Sequence, residues 1–234
     1  MSSAQHQAVL SMLEHDQVIP EVFSKTLSLE GKLSIAFPSH TACAGETMER
    51  VVTKDVPSIV YKPFNGDTGM TAIDRYTLIE IDPDLLQPND TASGQVRHWV
   101  QSNIVLDPAE LDKDGQVTGK YTEEAITEYL PSSPGPPGHK HRYVFCLARQ
   151  SPDHPAPSAS DFPRGAAEST ATSSNPKDNE DVKDRAGFSL EEYLEKRSLK
   201  VVAATFIKVG PDAEGLMDNA LLSGEAIVNK VLGK

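Results

Sequence analysis

Two short apolar runs in this chain each carry titratable side chains at one end. The run at 76–81 stops at Asp-Pro-Asp (82–84), and the run at 144–148 follows His-Arg-Tyr (141–143). Both runs have the composition of a buried β-strand, and the proline, which has no N–H for a strand ladder, ends the first. If the two strands share a sheet, two carboxylates, an imidazole, a guanidinium and a phenol meet at its edge. This grouping predicts a small polar pocket that either binds a ligand or supplies general acid–base partners.

An anion in this pocket would need hydrogen-bond donors and local positive charge. The imidazoles of His98 and His141 can donate, as can the Tyr143 hydroxyl and a backbone N–H of the Pro/Gly-rich loop at 131–138. An aspartate beside a histidine favours the charged ring and fixes its tautomer, so Asp82 is predicted to orient His98. The alternative, from the local sequence, is that the Asp-Pro-Asp segment only ends a strand and begins a turn.

Five neighbouring residues are assigned structural roles. In a regular strand Arg142 faces away from the residues on either side of it, which favours an ion pair with one of the aspartates. Cys146, in the middle of its run, is predicted to be a small buried hydrophobic residue rather than a nucleophile. Trp99 and Phe145 are predicted to lie in the core, and His139 is predicted to be a solvated loop residue.

The composition argues against contact with nucleic acid or integration in a membrane. The formal net charge is −12 and the pI is near 5, and no stripe of Lys and Arg is present to neutralise phosphates. No segment approaches the roughly 20 apolar residues of a membrane span, and the polar start lacks a signal-peptide pattern. Cys43 and Cys146 form no CxxC motif, which fits a reducing compartment, although a single disulfide stays open. The expectation is a soluble cytoplasmic protein.

One domain is predicted over residues 1–234. It begins with a helical segment at 1–17, and apolar alternation follows at 27–37 with a turn near Glu30. The stretch at 151–186, rich in Ser, Pro, Ala, Thr and Asp, is predicted to be a low-complexity surface insertion because it buries too little apolar area to order itself. The periodicity at 215–234 predicts a C-terminal helix. The remaining predicted elements are strands at 56–61, 76–81, 99–104, 141–148 and 201–209, an extended or turn segment at 18–23, and a helix at 188–197 with Ser189 in a capping box.

In this order the elements resemble the phosphatidylethanolamine-binding protein family. The match rests on Asp-Pro-Asp at 82–84, His-Trp at 98–99 before a strand that ends at Asn103, the Pro/Gly loop, and His-Arg-Tyr at 141–143. The resemblance implies a mostly β fold, a β-sandwich with peripheral helices and a small anion-binding cavity at one end. It assigns that cavity to Asp82, Asp84, His98, Pro134, His141 and Tyr143, with Pro83 and Arg142 as structural neighbours.

The likeness is greatest to the fungal branch of that family, which includes cytosolic inhibitors of serine carboxypeptidases. It implies a monomeric, non-enzymatic regulatory protein that uses no cofactor and binds a phosphate-like anion or a phospholipid head group. The implied partner is a serine carboxypeptidase, whose active site would receive the polar N-terminal segment while the folded body makes a second contact.

Two other hypotheses stay open. A signalling kinase or a lipid could be bound through the pocket face, as elsewhere in the family. An enzyme would use Asp, His and Tyr as acid–base partners, or His98, His141 and Asp82 as metal ligands. Against an enzyme, the sequence has no nucleophile elbow, no HExxH motif and no Gly-rich phosphate loop, so no catalytic and no metal-binding residues are assigned.

Overall fold

The structure is a computed structural model that describes residues 4–65, 69–84, 94–134, 139–162 and 185–211. These residues form two packed β-sheets with three short α-helices on the outside. The mostly β sandwich that the sequence predicts is therefore confirmed. The C-terminal helix predicted at 215–234 and most of the insertion predicted at 151–186 lie outside the described residues.

Along the described part of the chain two helices precede nine strands, and a third helix lies between the ninth and the tenth strand. Their order and bounds are α1 (Ala4–His15), α2 (Val18–Glu21), β1 (Gly31–Phe37), β2 (His40–Ala42), β3 (Glu46–Met48), β4 (Ser58–Pro63), β5 (Tyr76–Asp82), β6 (Val96–Val105), β7 (Val117–Thr118), β8 (Lys120–Tyr121), β9 (His141–Arg149), α3 (Leu190–Lys196) and β10 (Lys200–Val209). Single turns of 3-10 helix lie at Arg50–Thr53, Pro108–Glu110 and Ala159–Asp161.

The two sheets differ in size and in how they are covered. The smaller sheet has the strand order β2-β1-β4-β7, and the larger has the order β3-β10-β9-β5-β6-β8. Neighbouring strands are antiparallel except for β3, which runs parallel to β10. Because β5 lies between β9 and β6, the strands that carry Asp-Pro-Asp, His-Arg-Tyr and His98 are direct neighbours.

The larger sheet is buried on both faces. One face packs on the smaller sheet and forms the inter-sheet core, which includes Leu33, Ile35, Ile59, Tyr61, Tyr76, Leu78, Trp99, Tyr143 and Phe145. The other face is covered by α1, α2 and α3 and forms the outer core, which includes Val9, Leu13, Val18, Ile79, Ile81, Val144, Cys146, Leu190 and Tyr193. Burial on two faces explains why β5 and β9 are nearly continuous apolar runs rather than alternating ones.

Three predicted segments differ from the structure in their bounds. The alternation from residue 27 yields a strand only from Gly31 onward. Residues 18–23 contain a single helical turn, α2, in which Ile19 has non-helical backbone angles. The helix predicted at 188–197 is shorter, and the Ser189 hydroxyl accepts a hydrogen bond from the Glu192 N–H at 3.3 Å at its start. Element ends are set by such capping contacts, which hydrophobic periodicity does not reveal.

Gly31 begins β1 at a point where no side chain fits. A methyl group added there would lie 2.5 Å from ring atoms of Tyr61 and 2.6 Å from the Lys62 carbonyl oxygen. We expect Gly31→Ala to lower the free energy of unfolding by about 1–3 kcal/mol, the usual cost of overpacking a core, as measured by urea denaturation. In the control Gly210→Ala, the added methyl meets only the Lys140 side chain at 3.4 Å. Equal losses of stability in the two variants would contradict the close approach at Gly31.

Candidate functional site

A buried hydrogen bond joins the end of β5 to the start of β9. Nδ1 of His141 lies 2.7 Å from Oδ2 of Asp82, and the two side chains are 1% and 3% exposed. A carboxylate only accepts, so Nδ1 of His141 carries a proton and donates it. The other Asp82 oxygen accepts the Asp84 N–H at 2.7 Å and closes the turn after the strand. The prediction that Asp82 orients His98 is therefore wrong, because its partner is His141.

His98 reaches the same face of the sheet through a β-bulge. In the β5–β6 pairing Glu80 is opposite Trp99 and Ile81 is opposite Arg97, so His98 is the extra residue between them. The His98 ring packs edge-on against Tyr143 with the ring centres 5.0 Å apart, and its Nδ1 donates to the Leu130 carbonyl at 2.9 Å. Bulges commonly redirect a side chain in this way near functional sites.

Tyr143 lies between the two histidines and is fully buried. Its ring centre is 6.4 Å from that of His141, and its hydroxyl accepts the Ser133 N–H at 3.1 Å. Burial, with the nearby Asp82 carboxylate as a second cause, raises the pKa of Tyr143 well above its usual value. The hydroxyl therefore keeps its proton, which remains available to a ligand.

The loop at 130–134 is held against these rings by its backbone. Leu130 accepts from His98, Ser133 donates to Tyr143, and Pro134 is buried at the end of this described stretch. The structure thus brings together five of the six residues that the resemblance assigns to a cavity, with Asp84 placed differently. We call this group the pocket cluster: Asp82, His98, Pro134, His141 and Tyr143.

Asp84 lies on the opposite face of the larger sheet. Its carboxylate oxygens accept from Nε and Nη2 of Arg142 at 2.9 and 2.7 Å, and Oδ2 also accepts the Arg142 backbone N–H at 2.8 Å. Arg142 in turn donates from Nη2 to Glu21 at 2.7 Å and from Nη1 to the Asp16 carbonyl at 2.8 Å. Pro83 separates this outer pair from the inner pair of Asp82 and His141. Arg142 therefore connects the pocket end of β9 to the junction between α1 and α2.

His139 belongs to the site rather than to a solvated loop. Its ring stacks on that of His141 with the centres 4.7 Å apart, and Nε2 lies 3.5 Å from the Asp84 carbonyl oxygen. The residue is half-buried. The prediction of a solvated side chain is therefore corrected, since stacking on a neighbouring ring two positions along the chain shields it.

Sequence reasoning missed two charged residues close to the pocket cluster. Glu80 is fully buried, and it interrupts the apolar run of β5 at a position that alternation places on the same face as Asp82. Arg185 is 7% exposed and donates from Nη1 to the carbonyl oxygens of His98 at 2.9 Å and Glu128 at 2.8 Å. The alternation could have revealed Glu80, whereas Arg185 lies in a stretch whose composition predicts no packing.

The pocket cluster offers groups that can either accept or donate. Among the described residues Nε2 of neither His98 nor His141 has a hydrogen-bond partner, so these nitrogens are available to a ligand. Burial lowers the pKa of His98, which favours a neutral ring whose Nε2 accepts. A nearby anion or an acidic pH favours the protonated ring, whose Nε2 donates. Within the described ranges there is no group of three His, Cys, Asp or Glu side chains that could hold a metal ion. No helix in the part of the chain that the structure describes is long and apolar enough to cross a membrane.

The molecule is thus a two-sheet β-sandwich with buried polar side chains at one end of its larger sheet. The profile of the phosphatidylethanolamine-binding protein family matches residues 24–201. This chain belongs to that family, which confirms the resemblance seen in the sequence.

Solved structures share the fold. The carboxypeptidase Y inhibitor, crystallised in complex with its cognate proteinase, is 18% identical and has a TM-score of 0.69, covering 91% of this chain and 100% of that one. The phosphatidylethanolamine-binding protein from Plasmodium vivax is 17% identical with a TM-score of 0.57, covering 87% of this chain and 98% of that one. At these identities the likeness establishes the fold alone.

A curated relative matches only in part. The 26 kDa secreted antigen of Toxocara canis is 26% identical over 133 residues, which are 57% of this chain and 44% of the antigen. The chain therefore spans less than half the length of this curated relative. These comparisons establish the family of the chain and its fold.

Arg142 is expected to contribute strongly to stability. Replacing Arg142 by methionine removes the guanidinium from the buried Asp84 carboxylate and from Glu21, so the free energy of unfolding should fall by about 3–5 kcal/mol in urea denaturation. The control is Arg149→Met, whose ion pair with Glu30 is partly exposed and should cost about 1 kcal/mol or less. Adding Asp84→Asn to Arg142→Met should recover part of the loss. Equal costs for the two arginine variants would contradict the assignment.

Proposed function

We propose that this protein is a non-enzymatic regulatory binding protein that combines an anion pocket with a protease-directed N-terminal segment. The pocket cluster would hold a phosphate-like anion or a phospholipid head group. The segment that precedes the body would inhibit a serine carboxypeptidase. We further propose that the protein acts as a monomer in the cytoplasm.

The anion pocket is supported by donors that lie on neighbouring rings of the pocket cluster. The rings of His98 and His141 each commit Nδ1 to the protein, which leaves Nε2 to donate to an anion once the ring is protonated. Tyr143 adds a hydroxyl that keeps its proton. Asp82 accepts the Nδ1 proton of His141, which fixes the orientation of that ring. The phosphate group is the chemistry shared by free phosphate and a lipid head group.

The inhibitory segment is supported by the way α1 is anchored, which is the observation that carries this half of the proposal. Only Val9 and Leu13 of its 12 residues are buried. Ahead of Val9 the side chains are exposed except for His6, which is half-buried and stacks on Phe64 with the ring centres 5.0 Å apart. A helix end with so few contacts opens at low cost, so its first turn can extend into a cleft. The body stays folded behind it, because Leu13 and the α2 residues Val18 and Ile19 belong to the outer core.

The protease partner is supported by similarity of fold. The carboxypeptidase Y inhibitor has the same fold over its whole length, and its structure was determined with its cognate proteinase. For this chain the partner class remains part of the proposal. Binding of a signalling protein through the pocket face is the competing outcome, and it predicts dependence on the pocket cluster rather than on α1.

Removing residues 1–8 should abolish inhibition without unfolding the body. A chain that starts at Val9 keeps Val9 and Leu13 and also keeps Asp16, which binds Lys208 at 2.8 Å and Arg142 through its carbonyl. We expect inhibition of carboxypeptidase Y by the full chain and at least a tenfold weaker inhibition constant for the shortened chain, measured from residual peptidase activity. A chain with residues 1–8 in a reordered sequence is the matched control for length and composition.

The outcomes of this experiment separate the alternatives. Full inhibition by the shortened chain, or by the reordered one, would show that the protease does not recognise the sequence of this segment. No inhibition by any of the chains would remove the carboxypeptidase from the proposal and leave the anion pocket to be tested separately. A longer deletion to Ile19 is less informative, because it also removes the fully buried Leu13 and Val18 from the outer core.

His98→Asn should weaken anion binding while leaving the loop contact in place. The asparagine amide can still donate to the Leu130 carbonyl, but the ring nitrogen Nε2 is lost. The loss of one hydrogen bond to a charged group predicts about a tenfold or greater rise in the dissociation constant for inorganic phosphate by calorimetry. His15→Asn, at a histidine whose side chain is 85% exposed, is the matched control. Vesicles with and without phosphatidylethanolamine distinguish a lipid head group from free phosphate, and unchanged binding of both ligands by His98→Asn would remove this residue from the pocket.

A further inference from the structure

Glu80 is the most unusual buried group in the described part of the chain. Its side chain is fully buried in β5, and neither carboxylate oxygen has a hydrogen-bond partner. Buried polar groups are hydrogen-bonded in the great majority of cases, and a buried carboxyl without a hydrogen-bond partner costs stability. A buried carboxyl without a partner calls for an explanation, and a ligand that binds it is one.

Glu80 lies on the same face of the larger sheet as the pocket cluster, two residues before Asp82 on β5. Alternation along β5 turns Glu80 to the same side as Leu78, in the inter-sheet core, and as Asp82, about 7 Å further along the strand. On the β6 side Glu80 is opposite the bulge that turns His98 into the pocket. On the β9 side it is opposite Phe145, two residues from Tyr143.

Several titratable groups face Glu80 from the elements packed around it. Asp82 lies on its own strand, His98 on β6, and His141 and Tyr143 on β9. Tyr129 lies in the loop after β8 and Arg185 lies before α3, and each interacts electrostatically with Glu80. Burial is the main cause that raises the pKa of the Glu80 carboxyl well above its usual value, and repulsion from Asp82 adds to it, while Arg185 acts in the opposite direction. The carboxyl is therefore held in its neutral form, as a hydrogen-bond donor.

We propose that neutral Glu80 is the deep donor of the pocket, giving its proton in a hydrogen bond to an oxygen of a phosphate-like oxyanion, and that ionised Glu80 excludes this ligand. The inference rests on the anion binding proposed above and adds a residue that selects the ligand by charge. A carboxylic acid kept neutral by an apolar site is a known donor to developing oxyanions in enzymes. No proton is transferred, so the acid and the anion share it in the complex.

A second buried polar group without a hydrogen-bond partner supports a ligand site next to Tyr143. The Ser132 hydroxyl is also fully buried without a hydrogen-bond partner. The next residue, Ser133, donates its backbone N–H to the Tyr143 hydroxyl, so Ser132 lies beside the same ring that Glu80 approaches. One oxyanion with several acceptor oxygens could satisfy the acid and the hydroxyl together, which no described protein group does.

Charge determines the direction of the pH effect. Below the pKa of Glu80 in the free protein the acid is neutral and donates to the anion. As the pH rises through that pKa, the new carboxylate joins Asp82 and repels the anion, so affinity is lost. Protonation of His98 also favours an anion at low pH, and therefore the effect of Glu80 must be isolated by comparison with a variant.

The test is calorimetric titration of sulfate into the full chain between about pH 5 and about pH 9, a range over which sulfate keeps its double charge whereas histidines titrate. Glu80→Gln supplies a permanently neutral donor of the same shape. We expect similar affinities at the acidic end and at least a tenfold tighter dissociation constant for Glu80→Gln at the alkaline end. The full chain should also take up a fraction of a proton more per sulfate bound than Glu80→Gln does, measured in buffers of different ionisation enthalpy.

Glu80→Leu provides the second variant, since it removes the donor at every pH. We expect sulfate affinity to fall at least tenfold at the acidic end, while the midpoint of thermal unfolding rises because an unmet buried polar group has been replaced by an apolar one. A rise in that midpoint with unchanged sulfate affinity would overturn the inference and leave Glu80 as a structural acid. Parallel pH profiles for the full chain and Glu80→Gln would also overturn it while leaving the pocket intact. Absence of sulfate binding in every chain at every pH would overturn both the pocket and the role of Glu80.

Discussion

Two buried polar pairs, one on each face of the larger sheet, join the end of β5 to the start of β9. Asp82 binds His141 on the inner face, and Asp84 binds Arg142 on the outer face. All four side chains are nearly excluded from water, and the loss of such a contact between buried polar groups costs stability. A shift of the strand pairing by one residue would turn every side chain to the other face and break both pairs. The register of the central strands and the geometry of the pocket therefore depend on the same contacts.

Arg142 extends this arrangement to the N-terminal part of the chain. It holds Asp84 beside the pocket and, through Glu21 and the Asp16 carbonyl, holds the junction of α1 and α2. The two parts of the proposed function, an anion pocket and an inhibitory segment, thus share one buried guanidinium. The first turn of α1 lies beyond this anchor, so it can move while the body and the pocket keep their structure.

Membership of the phosphatidylethanolamine-binding protein family accounts for the sandwich and for the order of the motifs. It does not account for Glu80, whose buried carboxyl has no partner among the described residues and lowers stability. Proteins tolerate such local costs where a site needs them, and the surrounding core offsets them. The inter-sheet core is extensive here, since large side chains such as Trp99, Tyr61 and Phe145 are almost fully buried. The fold can therefore tolerate a buried carboxyl without a hydrogen-bond partner next to its pocket.

The sequence by itself determined which segments form the main strands, because apolar runs and a proline shortly after Ile81 act over a few residues, whereas the ends of several elements were set by contacts in the fold. It also placed Asp-Pro-Asp and His-Arg-Tyr at strand ends, which is enough to predict that a polar cluster exists. Only the tertiary structure decided that Asp82 binds His141 rather than His98, since that choice depends on a bulge in β6 and on the register between strands. The stacking of His139 and the isolation of Glu80 were likewise decided by packing, because burial and partners are properties of the whole fold and not of local pattern.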